Sequence, residues 1–136
     1  MVAASPDSLA RAPWQWDVRV SRDPVGQSQQ HDGAGIGWHH VCVRTEAALV
    51  SADLSTVTLE DGGALTLERP RDELWLAVVE AGTFRHGVFE VAAGDVLVWE
   101  GDDPRSIDIT PIGSGAVLCV FVTLRRTDGD ALRWVP

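Results

Sequence analysis

The stretch LWLAVVEAGTFRHGVFEVAAGDVLVW, residues 74–99, decides the fold class. Leu74 to Val79 is apolar at every position. Phe84 to Val91 and Val96 to Trp99 follow as two more short runs rich in valine and aromatic residues, and Ala81-Gly82 and Ala93-Gly94-Asp95 interrupt the chain between them. Short apolar runs bounded by glycine and aspartate read as β-strands. An amphipathic helix would need a longer segment with apolar residues three and four apart.

The pattern continues in both directions. Trp38 to Val43, Leu54 to Leu59 and Ala64 to Glu68 precede this stretch, and Ser106 to Thr110 and Ala116 to Leu124 follow it. The breakers are explicit: Gly33-Ala34-Gly35-Ile36-Gly37, Asp61-Gly62-Gly63, Asp102-Asp103-Pro104 and Gly113-Ser114-Gly115. Short strands at this spacing are the mark of an all-β sandwich or barrel. Helical periodicity is nearly absent. Residues 36–126 are therefore assigned to one barrel, 1–35 to a partly irregular N-terminal arm, and 127–136 to a tail. In the arm, Ser5 or Asp7 suits the cap of a short helical turn, and Pro13, Pro24 and the polar run Gln27 to Gln30 interrupt any longer pattern. Trp14 and Trp16, one residue apart, would share a face of an extended segment, which predicts an arm lying against the barrel or a neighbouring subunit.

Two kinds of strand are distinguishable. Ser106-Ile107-Asp108-Ile109-Thr110 alternates polar and apolar, as a strand with one wet face does. Leu74 to Val79 and Ala116 to Leu124 are apolar on both faces, so their outer face needs a cover. The arm or a homodimer interface would supply it.

With 136 residues, 45% of them hydrophobic and six of them tryptophan, the chain has material for one core. Its formal net charge of -9 argues against direct nucleic-acid binding, because phosphate contacts need clustered cations and the arginines here are thinly spread. No stretch approaches the ~20 apolar residues of a membrane span, and Met1 to Pro13 lacks a secretory apolar core. The expectation is a cytoplasmic protein. Cys42 and Cys119 lie inside apolar runs and read as small buried hydrophobes. No phosphate loop, nucleophile elbow or paired-cysteine zinc signature occurs.

Glu60 to Leu124 resembles the cupin family, a double-stranded β-helix or jelly-roll barrel. The residues that carry the likeness are Leu74 to Gly82, similar to the strand and turn closing the first cupin motif, and Ala93-Gly94-Asp95-Val96-Leu97-Val98-Trp99, similar to the opening of the second. Phe84 to Val91 supplies the hairpin between them, with His86-Gly87 at its tip. Metal-binding members of the family carry two histidines one residue apart and a glutamate in the first motif, and a third histidine in the second. Set back from Gly82, that motif places Trp75 at the glutamate position and Arg69 and Arg71 at the histidine positions, or Glu68 and Pro70 with a one-residue shift. Counted forward from Gly94, it places Arg105 at the third histidine position. Arginine stays protonated and does not ligate cations, so the resemblance implies a barrel without the usual metal and without any other cofactor. Glu73 fits the glutamate position only in a slipped alignment, where it stands almost alone. His31 falls in a polar loop.

In such a barrel Trp75, Ala77 and Val79 would share one face of their strand, with Trp99 and Arg105 near the mouth. An arginine fork beside tryptophan rings suits a flat or carboxylate-bearing organic molecule. The alternative is that Trp75 and Trp99 are core packing, and that Arg69, Arg71 and Arg105 pair with the neighbouring acids. His39 or His40 is a candidate general acid or base, although adjacent residues on one strand point to opposite faces and cannot both ligate one ion.

Three functions stay open. One is a non-catalytic, metal-independent, sensor-like cupin that binds a small organic molecule, similar to the arm-and-barrel sensor domain of AraC-type regulators, which implies a homodimer. Another is a metal-independent cupin isomerase, cyclase or lyase working by acid-base chemistry. The third is a structural or interaction protein.

Overall fold

The computed structural model describes residues 2–4, 11–12, 16–21, 29–31, 35–46, 48–60, 63–129 and 132. For 2–4, 11–12, 29–31 and 35 only the backbone is described. Ser5, Asp7, Trp14, Pro24, Gln27 and Asp61-Gly62 lie outside these residues, as do the readings placed on them.

The fold is all-β. Fourteen strands are present among the described residues, and none of these residues is helical: β1 (Val2–Ala4), β2 (Arg11–Ala12), β3 (Trp16–Val20), β4 (Gln29–His31), β5 (Gly35–Trp38), β6 (Val41–Thr45), β7 (Val50–Leu59), β8 (Leu65–Glu68), β9 (Glu73–Ala81), β10 (Thr83–His86), β11 (Phe89–Ala92), β12 (Val96–Trp99), β13 (Ser106–Pro111) and β14 (Val117–Arg126). They form three antiparallel sheets. The central sheet runs β1-β12-β9-β14-β7, a four-stranded sheet runs β11-β10-β13-β8, and a covering sheet runs β2-β3-β6-β5-β4. The expected single barrel is thus three layered sheets, and among the described residues no ladder closes them into a barrel.

Along β9, β12 and β14 both faces of the central sheet are dry, as their apolar sequences announce, whereas the edge strand β7 exposes Ser51, Asp53, Ser55, Thr56 and Thr58. Along β9, Leu74, Leu76 and Val78 face one way and pack with Val96, Val98, Val120, Val122 and Leu124 from neighbouring strands, and with Trp16, Val18, Val41 and Val43 of the covering sheet. Ala77 and Val79 face the other way, with Leu97, Trp99, Cys119 and Phe121, onto Phe84, Val91, Ile107 and Ile109 of the four-stranded sheet. The cover required by the doubly apolar strands is therefore built within the chain, by β3 and by the β5–β6 hairpin.

The four-stranded sheet has the expected wet face. Ile107 and Ile109 are buried while Ser106, Asp108 and Thr110 are exposed, and Thr66 donates to Asp108 at 2.8 Å across the β8–β13 pair. The turns use the breakers as the sequence suggests. At Gly94 the chain takes φ +95°, and the Asp95 carboxylate accepts the Ala92 N–H at 2.9 Å. Gly82, at φ +86°, passes so close to β14 that a Cβ there would lie 2.5 Å from the Ala116 carbonyl oxygen. Glycine is required at that position on both counts.

Candidate functional site

The five residues singled out by the sequence gather at the end of the inner layer, where the β8–β9 and β12–β13 connections meet. Arg69 makes that end. Its side chain is 1% exposed and all of its terminal N–H groups go to backbone: Nη1 donates to the carbonyls of Glu73 (2.8 Å) and Pro70 (3.3 Å), and Nη2 to those of Gly101 (2.9 Å) and Asp103 (2.7 Å). Its own amide donates to the Arg105 carbonyl at 2.8 Å. Burial lowers its pKa from the usual arginine value, and Asp103 opposes that shift. The guanidinium fork is thus committed to holding two loops together, and only Nε is without a partner.

Arg71 reaches the same loop from outside, pairing with Asp102 at 2.8 Å in full solvent. Arg105, one residue ahead of β13, is exposed and has no ion-pair partner among the described residues. Trp75 and Trp99 are cross-strand neighbours on β9 and β12. Trp99 is 1% exposed, stacked on Phe121 at 6.3 Å and edge-on to His86 at 5.4 Å. Trp75 is half-buried, meets Phe121 edge-on at 6.0 Å, and its indole N–H is buried without an acceptor.

His86 closes the tip of the β10–β11 hairpin, where the sequence places it, and its ring turns inward. Its Nδ1 lies 3.0 Å from the Asp108 carbonyl and so carries the hydrogen, which leaves Nε2 to accept the Trp99 indole N–H at 3.4 Å. The neutral ring is satisfied on both sides. The sequence signal was its spacing of two from Phe84, which puts both on the inner face of β10.

His39 and His40 lie in the two-residue turn between β5 and β6, where the run Trp38 to Val43 was expected to be one strand. His39 takes φ +54°, and its ring packs edge-on against Trp38 at 5.5 Å. His40 is brought to an acid the sequence reading overlooked: its Nε2 lies 3.3 Å from Glu80 Oε2, and its Nδ1 lies 3.1 Å from the Ser21 carbonyl. The signal for Glu80 was a carboxylate closing an otherwise apolar strand. This pair sits on the outer-layer face of β9, opposite the arginine end.

Among the described residues no three histidine, cysteine, aspartate or glutamate side chains are grouped so as to hold a metal ion. No helix among them is long and apolar enough to cross a membrane. No protein-family model and no curated protein sequence matches the chain.

Proposed function

We propose that the chain is a small, metal-independent cupin that binds a flat, carboxylate-bearing organic molecule at the Trp75–Arg105 end of the inner layer, in a non-catalytic, sensor-like role. The observation that carries this reading is the pair of unfilled groups there. Trp75 keeps a buried N–H donor with no acceptor beside a half-open ring, and Arg105 keeps a solvent-facing fork with no acid. A carboxylate would take the fork and an acceptor on a flat body would take the indole. Arg69 shapes this end while its fork is spent on carbonyls, Trp99 forms its floor, and Arg71 marks its rim.

The cupin part of the reading is supported by strand order. Within the central sheet β7-β14-β9-β12 are adjacent, and in its companion β8-β13-β10-β11, so consecutive strands alternate between the two sheets except at the β10–β11 hairpin, an order like that of a jelly roll. A homodimer and a cytoplasmic location enter the proposal on the resemblance and composition alone, because the doubly apolar strands already have their cover. The acid-base enzyme is the second reading, favoured by His40 lying against Glu80.

A thermal-shift screen of small carboxylates and aromatic metabolites tests the proposal. At least one should raise the melting temperature in proportion to the logarithm of its concentration, and Arg105→Ala should abolish the effect. No hit, or a hit indifferent to Arg105→Ala, overturns the site. Near-stoichiometric nickel, iron, manganese or zinc in the purified protein overturns the metal-independent part.

A further inference from the structure

We propose that Trp38, His40 and Glu80 form a second binding site, between the central and covering sheets, for a small neutral group that both donates and accepts a hydrogen bond: a hydroxyl or a primary amide. It lies on the opposite face of the central sheet from the arginine end and does not depend on that assignment.

Glu80 occupies an irregularity in the β9–β14 ladder. Leu118 pairs with Ala81 and Cys119 with Val79, so Glu80 is the inserted residue, and a bulge of this kind re-aims the side chain it carries. That side chain is only 10% exposed. Its Oε2 faces His40 Nε2. Because the Ser21 carbonyl can only accept, His40 Nδ1 must carry a hydrogen, and the contact between Nε2 and Oε2 then needs a further proton shared by those two atoms. Oε2 is thereby occupied. Oε1 is buried and has no partner, and the same is true of Nε1 of Trp38, which closes the hairpin on which His40 sits.

A buried polar atom left unpaired costs about 1–3 kcal/mol, and here one acceptor is left on β9 and one donor on the β5–β6 hairpin that His40 joins to it. Glu80 would repel a carboxylate ligand. An ammonium would satisfy Oε1 but leave the indole N–H empty, and an indole N–H is no metal ligand. A hydroxyl or primary amide answers both atoms. The turn that carries His40 is itself strained, since His39 holds the left-handed conformation that glycine normally fills in a hairpin.

Proton–nitrogen correlation spectra of the full chain test this directly, with the Trp38 indole signal assigned by Trp38→Phe. Acetamide and ethanol should each move that signal saturably, while acetate, an acceptor only, and methylammonium, a donor only, should not. Glu80→Gln should weaken the acetamide response at least tenfold, and ethanol should leave the Trp75 indole signal in place. Failure of acetamide and ethanol to move the Trp38 signal, an equal response to acetate or methylammonium, or an undiminished response in Glu80→Gln would each overturn the proposal. Should Glu80→Gln not fold, the contrast among the four probes on the unaltered chain still decides. The Trp75 signal reports on the arginine end, so the two sites succeed or fail separately.

Discussion

The two layers flanking the central sheet are built on different principles. The outer one, against the covering sheet, is mostly aliphatic: Leu74, Leu76, Val78, Val120 and Val122 meet Val18, Val41 and Val43, with Trp16 the one buried aromatic side chain among its described residues. The inner one holds Trp99, Phe84 and Phe121 with a histidine hydrogen-bonded into their midst, and an arginine clamps its end. Aliphatic side chains fill space without directional demands, whereas indole and imidazole groups must each find a partner. The inner layer therefore fixes one arrangement of its strands, while the outer layer is specified by volume.

The comparison is tested most severely by Trp99→Ala. Truncating a buried tryptophan costs about 3–5 kcal/mol, and here it also removes the donor to His86 Nε2, so denaturant unfolding should place it at the top of that range. Leu76→Ala, in the outer layer, should cost about 3 kcal/mol and leave no polar group orphaned. Equal losses at the two positions would erase the distinction. Arg69→Met should cost about 2 kcal/mol or more, because the Glu73, Gly101 and Asp103 carbonyls lose their donor. Its effect should be strongest in the hydrogen exchange of the two loops it joins.

A pH effect comes next. Burial pushes the Cys119 thiol up from 9.0 to about 12. A pKa raised in the folded state means that the unfolded chain gives up this proton first. The contribution is thus complete below about pH 9 and is lost as pH climbs toward 12. The chain has neither lysine nor tyrosine, so few other side chains titrate in that window. Melting temperature should fall across it, and Cys119→Ala should flatten the fall. Least affected is the rim: Arg71→Ala, which breaks an exposed ion pair, should change stability by less than about 0.5 kcal/mol.

Much of the inner layer was legible because period-two alternation and glycine-aspartate turns act locally. Ser106 to Thr110 announced its wet face, and Leu74 to Val79 announced two dry ones. The covering sheet was not legible in the same way. The turn at His39-His40 carries no glycine or proline, so Trp38 to Val43 read as one strand where the chain reverses. The arginine end shows the limit for sites. The resemblance to cupin motifs singled out Arg69, Arg71, Trp75, Trp99 and Arg105 as one end of the molecule, but whether a guanidinium is open or spent depends on which carbonyls surround it. The Gly101 and Asp103 carbonyls come from a loop some thirty positions further along. Glu80 escaped notice because a bulge, which depends on a partner strand, determines where it points.

The position of β14 bears on how the protein is made. It lies between β7 and β9 and pairs with both along nearly its whole length. A ribosome must therefore finish Val117–Arg126 before the central sheet can join β7 to β9. Until then β7 and β9 have no common neighbour, and the edge of β9 that pairs with β14 stays open. The central sheet is therefore completed only after this strand has been made, and translation that stops short of Val117 leaves a chain for chaperones or proteases.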